Sequence, residues 1–241
     1  MRQTRYITTM TKPNSEEIYS VLEQEIVSLQ IMPFEDLSEN ALCDRFNVSR
    51  TIVRSALQRL ELAGFVQIIP YVGTKVTGID LDAVNEFIYL RIATETAVLT
   101  DCLKSITPMQ KEELRFRKNA FEEKVREIGD LSNMNAKMTN EVLSFDLEFH
   151  HCYFRYQGKE LLWSYLTQPR PNYSRFIRLD MMGGRNIPDV LVEHNTLMDI
   201  IDHEKIDEIQ PLLSRHLNGG TRRLGAKLFT EEYRQYIQGS D

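Results

Sequence analysis

The chain has 241 residues, of which 42% are hydrophobic and 27% charged, so it can bury a core and is not disordered by composition. Its net charge of −6 argues against an indiscriminate nucleic-acid binder. No apolar run reaches the roughly 18–20 residues of a membrane span. The start, MRQTRYITTMTKPNSEE, lacks an apolar signal-peptide core, so a cytoplasmic protein without membrane contact is expected. Cys43, Cys102 and Cys152 are widely spaced and odd in number, which reads as reduced, mostly buried thiols rather than a zinc ribbon or disulfide framework.

In chain order, residues 1–12 read as a polar, mobile tail. A helix is expected after Pro13, capped by Asn14 or Ser15, with Glu16 and Glu17 where the helix dipole favours acids. Ile18, Val21, Leu22, Ile26 and Leu29 recur at helical spacing, and Pro33 should end the helix. Ser38 can cap a second helix with Leu42 and Phe46 inward. Asn47-Val48 reads as a turn, because Asn tolerates the left-handed conformation. Ser49 should cap a third helix whose buried stripe is Ile52, Val53, Ala56, Leu57 and Leu60, and Gly64 should end it. Phe65–Ile69 and Thr74–Thr77 are β-prone runs joined by Pro70-Tyr-Val-Gly73, a hairpin in the position of a wing.

Gly78-Ile79-Asp80 closes this unit, so the division expected is a winged helix-turn-helix domain over 13–78 and a second domain over 79–241. The second reads as helical throughout. Helices are expected from Asp80 to about Lys104, from Pro108 to about Ile128, and over roughly 135–156, 159–182, 189–202 and 204–217. A last one should reach about Ile237. The fold class is therefore mainly α: a winged helix-turn-helix with a small hairpin, then an all-helical bundle of six or seven helices.

Residues 1–78 carry eight Lys/Arg against nine Asp/Glu, yet 45–59 holds four arginines and no acid. Unopposed positive charge is thus local to one helix pair. Arg50 and Arg54 are four apart and share the helix face opposite the apolar stripe. Arg45, Ser49, Arg50, Thr51 and Arg54 form a candidate surface for double-stranded DNA. Arginine pairs bidentately with guanine, and Ser or Thr reaches phosphate. The plainer alternative is a three-helix bundle with a solvated basic face.

The stretch IVSLQIMPFEDLSENALCDRFNVSRTIVRSALQRLELAGFVQIIPYVGTKV resembles the N-terminal domain of the GntR family of bacterial transcription regulators. The matching features are Leu37, Glu39, Leu42-Cys43, Asn47-Val48-Ser49-Arg50, Val53-Arg54-Ser55-Ala56-Leu57, Gly64-Phe65-Val66 and Gly73. Asn47 stands where the family has a turn glycine, and Ile52 where it often has proline. Tyr71-Val72 precedes the wing glycine where a basic residue is frequent, leaving Lys75 as the wing's basic candidate. The resemblance implies operator binding by a homodimer that reads a pseudo-palindrome.

Only five histidines occur. Asp146 and His150 lie one helical turn apart and project from one face. His194 and His216 would meet them only if their helices pack side by side, which spacing alone leaves open. One carboxylate and three imidazoles suit zinc, nickel, manganese or iron. Residues 82–217 are similar to the FCD effector domain of the FadR-type branch. Arg91 and Glu95, Asp146, Phe149 and His150, Glu193-His194 and His216 fall on its pattern. That resemblance implies a divalent metal, zinc first, held by Asp146, His150, His194 and His216. It also implies a small organic acid as effector, with Arg91 as a partner for the effector carboxylate or for Glu95.

The reading is a DNA-binding transcriptional regulator, a repressor rather than an activator, and not an enzyme. Its alternatives are a purely structural metal site or a metal-dependent hydrolase. Against the hydrolase, Glu148 points away from the ligand face and Glu193 is adjacent to His194, so no general base is evident. His151 and His203 read as peripheral. Trp163, Tyr165, Tyr173 and Phe176 with Arg170, Arg175 and Arg178 read as bundle core with a solvated face. Met181–Arg185 reads as a loop between helices.

Overall fold

The computed structural model describes residues 12–239. The expected N-terminal tail, apart from Lys12, lies outside them. Helix α1 (Ser15–Val27) opens with a capping box. Asn14 Oδ1 accepts from the Glu16 and Glu17 N–H groups while the Glu17 carboxylate accepts from the Asn14 N–H, satisfying donors that helix geometry leaves free. Ile18, Leu22 and Ile26 are fully buried. The helix stops at Val27, short of Pro33, because Leu29 turns into the left-handed region at φ 60°. Val21, expected inside, is 37% exposed.

Asp36–Leu37 then forms a short strand, β1, which carries no periodic signal and was not expected. Helix α2 (Glu39–Phe46) is capped by the Ser38 hydroxyl, which accepts from the Ala41 N–H. Asn47 adopts the left-handed conformation anticipated for the turn, at φ 52° and ψ 48°. Helix α3 (Arg50–Leu62) buries Val53, Ala56, Leu57 and Leu60; Ser49 stands at its N-cap, but its hydroxyl makes no capping bond. Strands β2 (Val66–Ile69) and β3 (Gly73–Val76) make the hairpin, with Ile69 opposite Gly73. β1 pairs with the free edge of β3, Asp36 opposite Lys75, so the wing is a three-stranded sheet of order β1-β3-β2.

The rest is helical. Asp80 caps α4 (Leu81–Leu103), and Thr107 caps α5 (Pro108–Ile128) with a second capping box. α6 (Ala136–Tyr156), α7 (Glu160–Thr167), α8 (Tyr173–Met181), α9 (Ile187–His203) and α10 (Ile206–Leu217) follow, then the short α11 (Gly219–Leu224) and α12 (Glu231–Arg234). Nine helices after Asp80, among the described residues, replace the six or seven expected. The segment expected over 159–182 is cut between α7 and α8, where Pro169 and Pro171 cannot extend a helix. The last segment breaks at Gly225, φ 44°, into two short helices and a 3-10 turn. The Met182–Gly184 connection is a packed 3-10 turn: Leu131 lies so close to Gly184 that a Cβ there would meet it at 2.4 Å.

Each domain has its own core. Ile18, Leu22, Leu57, Leu60 and Phe65 centre the head, while Phe149, Tyr153, Phe154 and Phe176 belong to the main cluster of the bundle. The joint between them is polar. Arg175, fully buried on α8, donates to the carbonyls of Pro171, Thr77 and Gly78 and to the Thr77 hydroxyl. Burial without an acid beside it pushes its guanidinium down to about 10. This side chain therefore holds the chain segment that leaves the wing.

Candidate metal centre and nucleic-acid face

Asp146 and His150 on α6, His194 on α9 and His216 on α10 converge between packed helices. One potential ligand atom from each lies within 4.8 Å of all the others. Bonds of roughly 2.0–2.2 Å to a common ion would draw such atoms about 3–4 Å apart, so a small contraction closes the set. His150 and His194 are buried to within 1% of full enclosure. The His150 and His216 rings stack at 5.2 Å between centroids.

Two carboxylates orient two of the imidazoles. His150 Nδ1 lies 3.0 Å from Glu95 Oε2 and 2.8 Å from the Tyr153 hydroxyl, which itself donates to Glu95 at 2.6 Å. His216 Nδ1 lies 3.0 Å from Glu193 Oε2. A carboxylate only accepts, so each Nδ1 carries the hydrogen and each Nε2 presents a lone pair to the cluster. Burial would raise the Glu95 carboxyl, but Arg91, His150 and Tyr153 together hold it down at about 2. Arg91 is committed here, with its guanidinium 2.6 Å from Glu95 and donating to the Tyr173 hydroxyl.

Buried polar atoms normally find partners. His150 Nε2 and both ring nitrogens of His194 have none. His194 Nε2 lies 3.2 Å from Asp146 Oδ1 without hydrogen-bond alignment. Burial favours the neutral form of His194 despite Asp146 beside it. Burial would also raise the Asp146 carboxyl, but His194, His150 and His216 keep it well below the usual range. An ionised carboxylate facing three imidazole lone pairs is the donor set a divalent cation requires, so these residues fit one.

A cavity of about 180 Å³ opens beside this cluster. Asp146 and His216 share its wall with Leu143, Ile177 and Arg178, and Val27 from the end of α1 borders it. It is thus in contact with both domains.

On the head, Ser49, Arg50, Thr51 and Arg54 are exposed along the start of α3, and Arg45 is exposed at the end of α2. Each arginine rests against a polar neighbour. Arg45 bonds Glu25, Arg50 donates to Asn40 Oδ1 at 2.8 Å, and Arg54 meets Glu39 at 2.9 Å. Lys75 lies 3.7 Å from Asp36. Exposed pairs of this kind are weak. The wing tip is Tyr71, fully exposed, followed by Val72 at 77%.

Residues 14–76 match the model of the bacterial regulatory proteins, gntR family, and residues 86–219 match that of the FCD domain. The chain is a GntR-family regulator with an FCD domain. It is 26% identical over 208 residues to the HTH-type transcriptional repressor RspR of Escherichia coli K12, spanning 86% of this chain and 87% of that one. It is likewise 26% identical to an HTH-type transcriptional regulator of Streptomyces ambofaciens, over 87% of this chain and 84% of the relative. The solved structure of E. coli McbR/YncC superposes with a TM-score of 0.62 at 13% identity, covering 88% and 97% of the two chains, a likeness of fold. The GntR head implies DNA binding, and the relatives are named as transcription regulators. No helix among the described residues is long and apolar enough to cross a membrane.

For this GntR regulator, the sequence expectation of four ligand-type residues in one place agrees with the geometry, and the basic face of α3 lies open. Sequence reasoning missed Glu95 and Glu193 as orienting groups. Their partners are 55 and 23 residues away, and the available signal was an acid on a helix face that is otherwise buried. Glu148 pairs with Arg117 at 2.6 Å, away from the cluster. His151 stacks on Trp163 and pairs with Glu160, while His203 pairs with Asp199 and is 64% exposed. Arg175, fully buried, and Arg178, half-buried, depart from the expected solvated face.

Proposed function

We propose that this regulator is a repressor whose hold on operator DNA is set by a small organic acid bound at a divalent-metal site in the helical domain. The domains run over 13–78 and 79–241, and the working form is a homodimer in the cytoplasm. Arg45, Ser49, Arg50, Thr51 and Arg54 contact the operator, with Lys75 at the wing. A net-acidic chain with one arginine-rich helix needs two heads on two half-sites to bind tightly. Asp146, His150, His194 and His216 hold the ion. When bound, the cation supplies a positive centre with coordination positions left for ligand oxygens. Glu95 and Glu193 fix which imidazole nitrogen faces it.

The observation that carries this reading is a buried cluster with orphaned imidazole nitrogens on His150 and His194, whose other two members, Asp146 and His216, line a cavity that Val27 of the head also borders. Helix α8 supports the coupling. Its Arg178 and Ile177 face the cavity, and its Arg175 holds the carbonyls of Thr77 and Gly78. A ligand that fits one placement of α8 better than another biases how the heads are held, and that difference in affinity is all that coupling requires.

The test is operator affinity of the zinc-loaded protein, with and without a panel of small carboxylates, repeated after chelation. The expected result is that one or more acids weaken operator binding roughly tenfold, within the usual range of coupling energies, and that chelation removes the response. An operator affinity indifferent to every acid and to chelation would leave the metal site a structural one.

A further inference from the structure

Three arginines line the cavity: Arg91, Arg178 and Arg223. Two are already neutralised. Arg91 is held by Glu95, and Arg223 is held by Asp180 at 2.6 Å and Asp189 at 3.1 Å. Arg178 differs. Among the described residues it has no carboxylate within ion-pair distance. Its acceptors are neutral: the Ser174 carbonyl at 2.9 Å and Asn140 Oδ1 at 3.1 Å. Its Nε is buried with no partner. Burial without a counter-charge pushes its guanidinium down to about 10. A half-buried cation lacking an anion, with its Nε cut off from water, is costly, and a guanidinium with a free N–H matches a planar carboxylate.

The same cavity carries Asp146 and His216 of the proposed metal site, and Leu143, Leu147 and Ile177 supply apolar wall. A ligand there meets a cation site, apolar surface and an unneutralised guanidinium. We infer that Arg178 anchors a second acidic group of the ligand, so that the effector is a short dicarboxylate held between the metal ion and this side chain. The inference rests on the carboxylate-at-metal reading and adds the ligand's class to it. It also moves the anchoring role from Arg91, which Glu95 and Tyr173 occupy, to Arg178 on α8. That helix also carries Arg175, so the residue that senses the second acid sits one helical turn from the one that grips the interdomain segment.

The test is calorimetric titration of the zinc-loaded full chain with matched acids of equal length: succinate against butyrate, and glutarate against pentanoate. For at least one pair the diacid is expected to bind roughly tenfold tighter or more, the worth of one charge-assisted contact. Arg178→Met should lose that preference while keeping its zinc and its affinity for the monoacid, and Arg178→Lys should keep part of it. Zinc content and thermal midpoint confirm the fold; if Arg178→Met fails to fold, a reduced preference in Arg178→Lys carries the result. Equal binding of diacids and monoacids, or a preference that survives in Arg178→Met, overturns the role of Arg178 alone. Failure of the zinc-loaded chain to bind any of the four acids overturns the underlying reading with it.

Discussion

The head and the bundle of this protein handle charge in opposite ways. On the head, Arg45, Arg54 and Arg59 are each exposed by 40% or more and lean on Glu25, Glu39 and Glu16 at the surface. Such exposed pairs are weak and screened by salt, so DNA phosphate can displace the acids at little cost. In the bundle, Arg91, Glu95, His150 and Tyr153 form one buried chain of hydrogen bonds, and Glu193 holds His216. These groups are fixed before any ligand arrives, because low dielectric makes every unsatisfied group expensive. The lesson is that loosely held charge serves a partner that is itself a polyanion, whereas tightly held charge fixes the geometry of a buried cluster whose residues fit a divalent ion.

That contrast can be broken at several points. The largest effect is expected from Arg54→Ala. Losing a base-reading arginine costs roughly 1–3 kcal/mol per half-site, so sequence-specific operator binding should be abolished with the circular dichroism spectrum unchanged. Unchanged operator affinity in a mobility-shift titration would remove Arg54 from the recognition face. Next comes Glu193→Gln, which keeps shape but replaces an acceptor-only carboxylate with a neutral amide that can donate as well as accept, so the His216 tautomer is no longer fixed. Metal affinity should fall about 10–100-fold in a competition with a chromogenic chelator, while operator affinity without ligand stays the same. A full-strength site in this variant would mean that His216 needs no orienting acid. The smallest effect is expected from Lys75→Ala at the wing, where Asp36 is the nearest acid. Affinity should fall by less than about 1 kcal/mol for all sequences alike, and the salt slope should drop by about one per chain. A change confined to one operator sequence would instead give the wing a base contact.

Much of the fold was legible because its signals are local. Asn14, Ser38 and Asp80 cap helices where their side chains reach back to free N–H groups, and Asn47 takes the left-handed turn. β1 was not legible, since two residues carry no alternation and their pairing with β3 depends on a strand nearly 40 residues away. The helix breaks at Pro169 and Pro171 were written in the sequence and read through, because the apolar pattern continues on both sides of them. The end of α1 depends on Leu29 turning left-handed, which a leucine gives no reason to expect.

The site divides along the same line. Asp146 and His150 share a helix face by spacing alone, but their meeting with His194 and His216 is a product of α6, α9 and α10 packing together, for which the family resemblance stood in. Arg175 and Arg178 read as a solvated basic face because arginine is usually exposed. The full burial of Arg175 and the partial burial of Arg178 follow from α8 lying between the head and the cavity, a placement with no local signal.

The most direct measurement of the central claim is metal content by elemental analysis of the purified chain beside His150→Ala and His194→Ala. One equivalent of divalent metal per chain is expected in the parent, less than a tenth as much in either variant, and a thermal midpoint that chelator lowers only in the parent. A parent chain that holds no divalent ion after incubation with zinc, or variants that hold as much as the parent, would contradict the account.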